Sequence, residues 1–288
     1  MTQAKYADLH VHTFYSDSTF SPEEVVSCAK EQGLAAIAIC DHDTVDGIDP
    51  CMALGLENGV EIIPGIEMSV EKMDAEIHVL GYFIDWKQEW LRKKLKEIQD
   101  SRVERIFVMI EKLKAMGVNI DAEEVFKIAV NKGSVGRLHV AKAMLNSGAI
   151  KNLREAFGKY IGFAKPCYVP YAKLSTKDTM ELILKSGGVP VIAHPDLIGN
   201  DEYISEFIDY GLRGLEVYHT DHKSHVSKKY EAMAKELGLI MTGGSDCHGM
   251  GKGRILMGTV RVTYELVERL KEEARKIKDD PSTRPMGK

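Results

Sequence analysis

The sequence predicts an α/β fold, a barrel or open sheet of parallel strands flanked by helices and interrupted by an all-helical segment. Three observations predict it. Continuous apolar runs such as Ala35-Ala36-Ile37-Ala38-Ile39-Cys40 and Val189-Pro190-Val191-Ile192-Ala193 read as strands buried on both faces, the habit of parallel sheets. Helical segments alternate with such runs on either side of residues 85–165. Polar residues gather at strand ends, where α/β barrels and open sheets carry their chemistry.

The first strand is Ala7-Asp8-Leu9-His10-Val11-His12, with Thr13-Phe14-Tyr15-Ser16-Asp17 after it. Leu9 and Val11 alternate with His10 and His12, so the two histidines share a face and can ligate one ion. Asp17, in the turn, adds a hard oxygen. The bland alternative is a polar strand end with two solvated histidines. Ser21-Pro22-Glu23-Glu24 is a helix start with a capping box, and Gly33 ends that helix. The run Ala35–Cys40 then closes in Asp41-His42-Asp43-Thr44. Asp43 or Thr44 suits a cap for the next helix, whereas His42 is not a preferred cap and reads as a ligand. A helix over Pro50–Asn58 leads to a strand closed by Glu67, and a fourth strand, Ile77–Phe83, carries His78. Alone, His78 reads as a core or edge histidine; beside Glu67 it reads as a ligand.

From about Asp85 the composition shifts to Lys, Glu, Arg, Leu and Ile at helical spacing, with Ile98, Val103, Ile106, Ile110 and Leu113 on one face. Residues 85–165 read as a helical insertion between 1–84 and 166–288, which form the main domain. Within it, Gly133-Ser134-Val135-Gly136-Arg137-Leu138-His139 places an arginine and a histidine at a helix start. A helix N-terminus and a guanidinium suit an anion. From spacing alone, an ordinary capped helix with exposed Arg137 and His139 fits equally well. The α/β pattern then resumes: a helix over Thr176–Ser186, a strand closing in His194-Pro195-Asp196, a helix over Asp201–Tyr210, and the strand Gly214–Tyr218 followed by His219 and His222. A helix over Lys223–Leu237 precedes a last strand that runs into Gly243-Gly244-Ser245-Asp246-Cys247-His248-Gly249. A helix over Tyr264–Ile277 precedes a tail, Lys278–Lys288, expected to be loosely ordered.

With 44% hydrophobic and 28% charged residues, the 288-residue chain has the profile of a globular protein, and its net charge of −5 argues against a nucleic-acid-coating one. A nucleotide or single-strand end can still enter a locally positive cleft. The five cysteines are scattered without a CxxC pair, so neither a disulfide framework nor a thiolate zinc site is expected. No apolar run approaches the roughly 20 residues that span a bilayer. The first twenty residues do not read as a secretory signal. A cytoplasmic protein is expected, with no membrane association and no stable protein partner.

Collected by position, His10, His12, Asp17, His42, Glu67, His78, His194, Asp246 and His248 lie at or just past strand ends. Nine ligands are too many for one ion and suit two or three, with Glu67 bridging. Nitrogen and hard oxygen donors suit Zn, Mn or Fe.

Asp8-Leu9-His10-Val11-His12 with Ser16-Asp17, Asp41-His42-Asp43, Gly65-Ile66-Glu67, His78, Ala193-His194-Pro195 and Ser245-Asp246-Cys247-His248-Gly249 resemble the successive motifs of the PHP (polymerase and histidinol phosphatase) family. The likeness is greatest to a stand-alone bacterial branch that carries a helical insertion with a Gly-Arg-x-His motif, like Gly136-Arg137-Leu138-His139, and a strand end like Glu216-Val217-Tyr218-His219. Leu138 departs from the proline frequent there. The resemblance implies a distorted (β/α)7 TIM-like barrel with a trinuclear centre. It implies one ion held by His10, His12, Glu67 and Asp246, a second by Glu67, His78 and His194, and a third by Asp17, His42 and His248. Glu67, Asp17 and His194 are expected to carry catalysis through those ions, and Arg137, His139, His219 and His222 to contact substrate. The implied activity is hydrolysis of a nucleotide phosphate ester by a metal-bridging hydroxide. The substrate would be AMP, a nucleoside 3',5'-bisphosphate or a short RNA 5' end. Histidinol-phosphate phosphatase, an amidohydrolase-type C–N hydrolase and a non-catalytic PHP module are the rivals. No strand ends in the lysine an amidohydrolase-type centre would use, and no polymerase chain accompanies the motifs.

Overall fold

The computed structural model describes residues 4–72, 75–129, 134–170 and 174–280. Gly133 and most of the expected loose tail therefore lie outside the described residues. Among the described residues the sheet has eight strands: β1 (Tyr6–Val11), β2 (Ala36–Ile39), β3 (Glu61–Lys72), β4 (Ala75–Tyr82), β5 (Val189–Ile192), β6 (Gly214–His219), β7 (Ile240–Gly244) and β8 (Val262–Thr263). Their order is β7-β6-β5-β4-β3-β2-β1-β8. The sheet curls until its two sides meet. The His12 amide donates to the Cys247 carbonyl at 3.0 Å and the Cys247 amide to the His10 carbonyl at 3.3 Å, so the chain after β7 pairs with the end of β1. Ile37 and Ile39 pack in one buried cluster with Val25, Ala29 and Ile48, while Ala36, Ala38 and Cys40 pack in another with Leu9, Ile63, Leu80 and Tyr82. β2 is thus buried on both faces, as its apolar run requires.

Local signals set the first crossovers. α1 (Pro22–Glu31) carries the expected capping box, Ser21 Oγ accepting from the Glu24 amide and Glu24 returning to the Ser21 amide at 2.8 Å. α2 (Ile48–Asn58) instead begins at Gly47 with no side-chain cap, so neither Asp43 nor Thr44 caps it. Asp41 accepts from the Thr13 amide at 2.7 Å and from the Thr13 and Ser16 hydroxyls, tying the turn after β1 to the end of β2. A Cβ at Gly47 would lie 2.4 Å from Asp41 Oδ2, so only glycine lets the chain pass that knot.

Two differences from the expected elements shape the site. β3 continues past Glu67 to Lys72 and forms a long antiparallel hairpin with β4, Gly65 opposite Tyr82 and Ser69 opposite His78. β4 also runs antiparallel to β5. Glu67 and His78 are therefore interior strand residues, not strand ends, and His78 approaches on a strand of reversed direction. The continuation is written in Met68 and Val70, which with Ile66 set an apolar residue at every second position into one buried cluster.

Between β4 and β5 come α3 (Glu89–Ala115), α4 (Ala122–Ile128), α5 (Arg137–Asn146) and α6 (Leu153–Glu155), the last running into a π-helical stretch, Ala156–Ile161. They bury a core of their own that includes Ile106, Ile110, Leu113, Val125, Val140 and Met144. The first half of α3, through Leu91, Leu95 and Ile98, packs in the barrel's core instead. Crossover helices α7 (Thr176–Lys185), α8 (Glu202–Asp209) and α9 (Ser224–Glu236) follow, and α10 (Tyr264–Asp279) packs Val267, Leu270 and Ala274 with Leu9 and Val191. No helix among the described residues is long and apolar enough to cross a membrane.

Candidate metal centre

The nine predicted ligands converge. Eight of them fall in three sets whose donor atoms lie within 4.8 Å of one another: His10, His12, Glu67 and Asp246; His42, Glu67 and His78; His12, Asp17, His42 and His248. His194 joins them, with Nε2 3.2 Å from Glu67 Oε1. Glu67 sits at the middle and divides its oxygens. Oε1 faces His78 Nδ1 at 2.7 Å and His194 Nε2 at 3.2 Å. Oε2 faces His10 Nε2, His12 Nε2 and His42 Nδ1, each at 3.2 Å. Asp246 Oδ1 lies 3.1 Å from His12 Nε2, and Asp17 Oδ1 lies 3.1 Å from His248 Nε2. The first set holds the residues of the expected first group; the second has His42 where His194 was expected, and the third adds His12 to Asp17, His42 and His248.

The electrostatics are those of a site that wants cations. Burial pushes the Glu67 carboxyl up, but His42, His78 and His10 override it and hold it well below the usual carboxylate range. Asp17 is depressed in the same way against burial, by His248 and His42, and Asp246 by Lys252, His248 and His10. Burial pulls the His12 imidazole down, yet Asp246 and Glu67 take it up to about 9. His12 Nε2, Asp17 Oδ1 and His42 Nδ1 are buried and make no hydrogen bond among the described residues. Buried polar atoms without partners are rare unless something else satisfies them. Imidazole nitrogens and carboxylate oxygens with lone pairs converging on shared points fit divalent ions.

The backbone is strained where these side chains are delivered. Three non-glycine residues with positive φ lie here: Asp43 (49°), His194 (28°) and Asp246 (52°). A supporting layer fixes the ligands. Glu216 Oε1 lies 2.9 Å from His10 Nδ1, which leaves Nε2 facing the centre, and Glu216 Oε2 accepts the His194 amide at 2.8 Å. Asp8 accepts the Ser245 and Gly258 amides at 2.8 and 2.9 Å and so sets the loop that presents Asp246. Glu216, Asp8 and Asp41 carry no role in the sequence reading, although each stands inside or beside a motif quoted there.

Residues 8–163 match the family model of the PHP domain. The chain is 32% identical to a 3',5'-nucleoside bisphosphate phosphatase of Chromobacterium violaceum, over 85% of this chain and 88% of that one. It is 31% identical to a 5'-3' exoribonuclease of Haemophilus influenzae, over 91% and 98%.

This chain belongs to the PHP family.

A solved candidate metal-dependent phosphoesterase of Bifidobacterium adolescentis superposes with a TM-score of 0.85 at 28% identity, covering 93% of this chain and 96% of that one.

Beside the PHP centre opens a cleft of about 120 Å³, with Asp17, His42 and His78 on its barrel side and Arg102, Arg105, Arg137 and Phe157 on its helical side. Arg137 lies 5.8 Å from the Phe157 ring centroid and 5.6 Å from that of Tyr168. Phe157 belongs to the π-helical stretch, a distortion frequent at functional sites. Arg102 and Arg105 are absent from the sequence reading because they sit mid-helix in a strongly charged segment. His139 is buried, and its Nδ1 accepts the Gly136 amide at 3.1 Å, so one of its nitrogens is engaged in starting α5. His219 reaches the centre, with Nε2 3.5 Å from Asp246 Oδ2. His222 stands one ring further out, 5.4 Å from His219, its Nδ1 2.9 Å from the Val217 carbonyl. A larger groove of about 570 Å³ between α3 and α7 is lined by lysines and carboxylates and carries no imidazole.

Proposed function

We propose that this chain is a metal-dependent phosphoesterase acting on a nucleotide phosphate ester: a nucleoside monophosphate, a 3',5'-bisphosphate or a short RNA 5' end. The observation that carries the reading is Glu67. Its two oxygens face two different sets of imidazoles, and a carboxylate so placed can bridge two cations. Two or three divalent ions, Mn, Zn or Fe, fit the donors. His10, His12, Glu67 and Asp246 would hold one, Glu67, His78 and His194 a second, and Asp17, His42 and His248 a third. Bound ions supply Lewis-acid polarisation of the phosphoryl oxygens and lower the pKa of a water.

The chain's own residues do the rest. Glu67 would hold both cations, and Glu216 keeps His10 turned to present Nε2. His219 Nδ1 accepts the Asp221 amide at 3.2 Å, which leaves its proton on Nε2, directed at the centre, where it can be given to a leaving oxygen. The helical segment 85–165, inserted in a barrel of 1–84 and 166–288, supplies Arg137, with Arg105 beside it, to grip phosphate. His139 sets the start of the helix that carries Arg137. A phosphoryl group spreads its charge in the transition state, so these fixed positive groups matter more than covalent participation. The relatives named for a nucleoside bisphosphate and for RNA support this substrate class.

The test is metal-reconstituted protein assayed against AMP, adenosine 3',5'-bisphosphate, histidinol phosphate and 5'-phosphorylated oligoribonucleotides. Turnover of one or more nucleotide substrates, at a kcat/KM above that for histidinol phosphate, is expected. Preference for histidinol phosphate would overturn the substrate assignment, and no phosphate release from any of the four would overturn the reaction class.

A further inference from the structure

After His248 the chain runs Gly249-Met250-Gly251-Lys252-Gly253, three glycines around one lysine. The loop is built, not slack. The Met250 amide donates to Thr19 Oγ1 at 2.8 Å, the Gly251 amide to the His248 carbonyl at 2.8 Å, and the Gly253 amide to the Met250 carbonyl at 2.9 Å. Gly249 has φ +57°, and a Cβ there would lie 2.4 Å from Thr19 Oγ1, so the turn requires glycine. The loop folds back and brings Lys252 Nζ to 2.5 Å from Asp246 Oδ2. Asp246 is thereby divided. Its Oδ1 faces His10 Nε2 at 3.5 Å and His12 Nε2 at 3.1 Å, while its Oδ2 faces Lys252 and, at 3.5 Å, His219.

We propose that Lys252 is a positioning residue that holds Asp246 to single-oxygen ligation, by keeping Oδ2 turned to the loop and only Oδ1 turned to His10 and His12. This rests on the proposed metal centre. Two effects of the lysine oppose each other there. As a positive charge it repels a cation nearby, so its removal alone should tighten metal binding. As the partner of a ligating carboxylate it fixes the ligand's orientation, and loss of such a partner typically weakens binding roughly 10- to 100-fold. The direct contact on the oxygen opposite the histidines makes orientation the larger effect.

The test compares wild type, Lys252→Met and Lys252→Arg by calorimetric Mn²⁺ titration and by the visible absorption of Co²⁺-loaded protein. Lys252→Met removes the donor and the charge and keeps the stem. It is expected to weaken Mn²⁺ binding roughly 10- to 100-fold. It should also lower the Co²⁺ band intensity, because a carboxylate free to ligate with both oxygens raises the coordination number. Lys252→Arg keeps a charged donor and is expected to restore binding to within a few-fold. Metal-free Lys252→Met should melt below wild type, because the buried Asp246 carboxylate loses a cationic partner, and metal-free Lys252→Arg close to it, so all three are titrated well below their melting temperatures. Equal or tighter Mn²⁺ binding by Lys252→Met overturns the proposal, and so does a loss that arginine does not rescue. A variant with wild-type metal binding and a raised KM would make Lys252 a substrate contact and equally overturn it. Failure of wild type itself to bind Mn²⁺ or Co²⁺ would fell the metal centre first, a result that separates the two readings.

Discussion

Arg102 Nε donates to the Asp43 carboxylate at 2.7 Å, from the middle of α3 to the loop that carries His42. Both side chains are buried. The same carboxylate accepts the Ser69 amide at 3.1 Å, and Ser134 Oγ donates to the His42 carbonyl at 2.9 Å. Gln99 Nε2 donates to the Asp43 carbonyl at 3.0 Å, and Lys142 Nζ to the Asp17 carbonyl at 3.3 Å. The helical segment thus holds the backbone of two candidate ligands, His42 and Asp17. Arg102→Met would strand a buried carboxylate, a change that costs about 3–5 kcal/mol. Urea denaturation should show that loss, and Arg102→Met with Asp43→Asn should recover part of it. Full stability in the single variant would mean the pair is idle.

Glu67→Gln keeps the size of the side chain and removes the charge between the two sets of imidazoles. Turnover is expected to fall below detection and bound metal to drop, while the circular dichroism spectrum stays that of wild type. Removal of metal by chelation should abolish turnover in the same way, and re-addition should restore it only in the wild type. Near-normal activity in Glu67→Gln would mean that Glu67 is not a bridge.

Much of this was legible in the sequence because the centre's chemistry is carried by rare residue types at strand ends. His10 and His12 declare a face by alternation, and Asp246 and His248 follow a short apolar strand. What was not legible is direction. Glu61–Lys72 and Ala75–Tyr82 form an antiparallel hairpin, and alternation does not tell a strand which way its neighbours run. The supporting residues were hidden for another reason. Asp41 binds Thr13 and Ser16, which are 28 and 25 residues away in the chain, beyond the reach of any local motif. Arg102 and Arg105 lie in a segment so rich in lysine and arginine that only the packing of α3 singles them out.

Burial takes the His139 imidazole down to about 4, from an ordinary value near 6.5. The neutral ring is the one whose Nδ1 accepts the Gly136 amide. A folded pKa below the unfolded one means that the unfolded chain binds the extra proton. The contribution to stability is therefore whole above about pH 6.5 and is lost as pH falls toward about 4, a difference of roughly 3 kcal/mol. His139→Gln keeps an acceptor and has no proton to gain. Between pH 7 and 4 its stability should fall less steeply than that of wild type, as read from urea denaturation across that range. Parallel pH dependences would mean that His139 titrates normally.

Arg137 tests what the helical segment is for. The candidate metal ligands all come from the barrel's strands and the loops that follow them, and they can hold only the reacting phosphate. A bisphosphate or an RNA end brings another phosphate, which needs another anion site. The cleft beside His42 and His78 offers one, walled by Arg102, Arg105 and Arg137. Arg102 is bound to Asp43, and Arg137 and Arg105 line the same cleft. Arg137→Ala removes charge-assisted hydrogen bonds worth about 1.5–3 kcal/mol, roughly ten- to hundredfold in binding. If the cleft takes the phosphate that does not react, KM should rise for adenosine 3',5'-bisphosphate and oligoribonucleotides, with little change for a simple chromogenic phosphoester. Arg105→Ala should follow the same pattern, because the two line one cleft. A uniform rise across all substrates would assign Arg137 to the reacting phosphate. No rise in any would leave it a packing residue on Phe157 and Tyr168 and take substrate selection away from the helical segment.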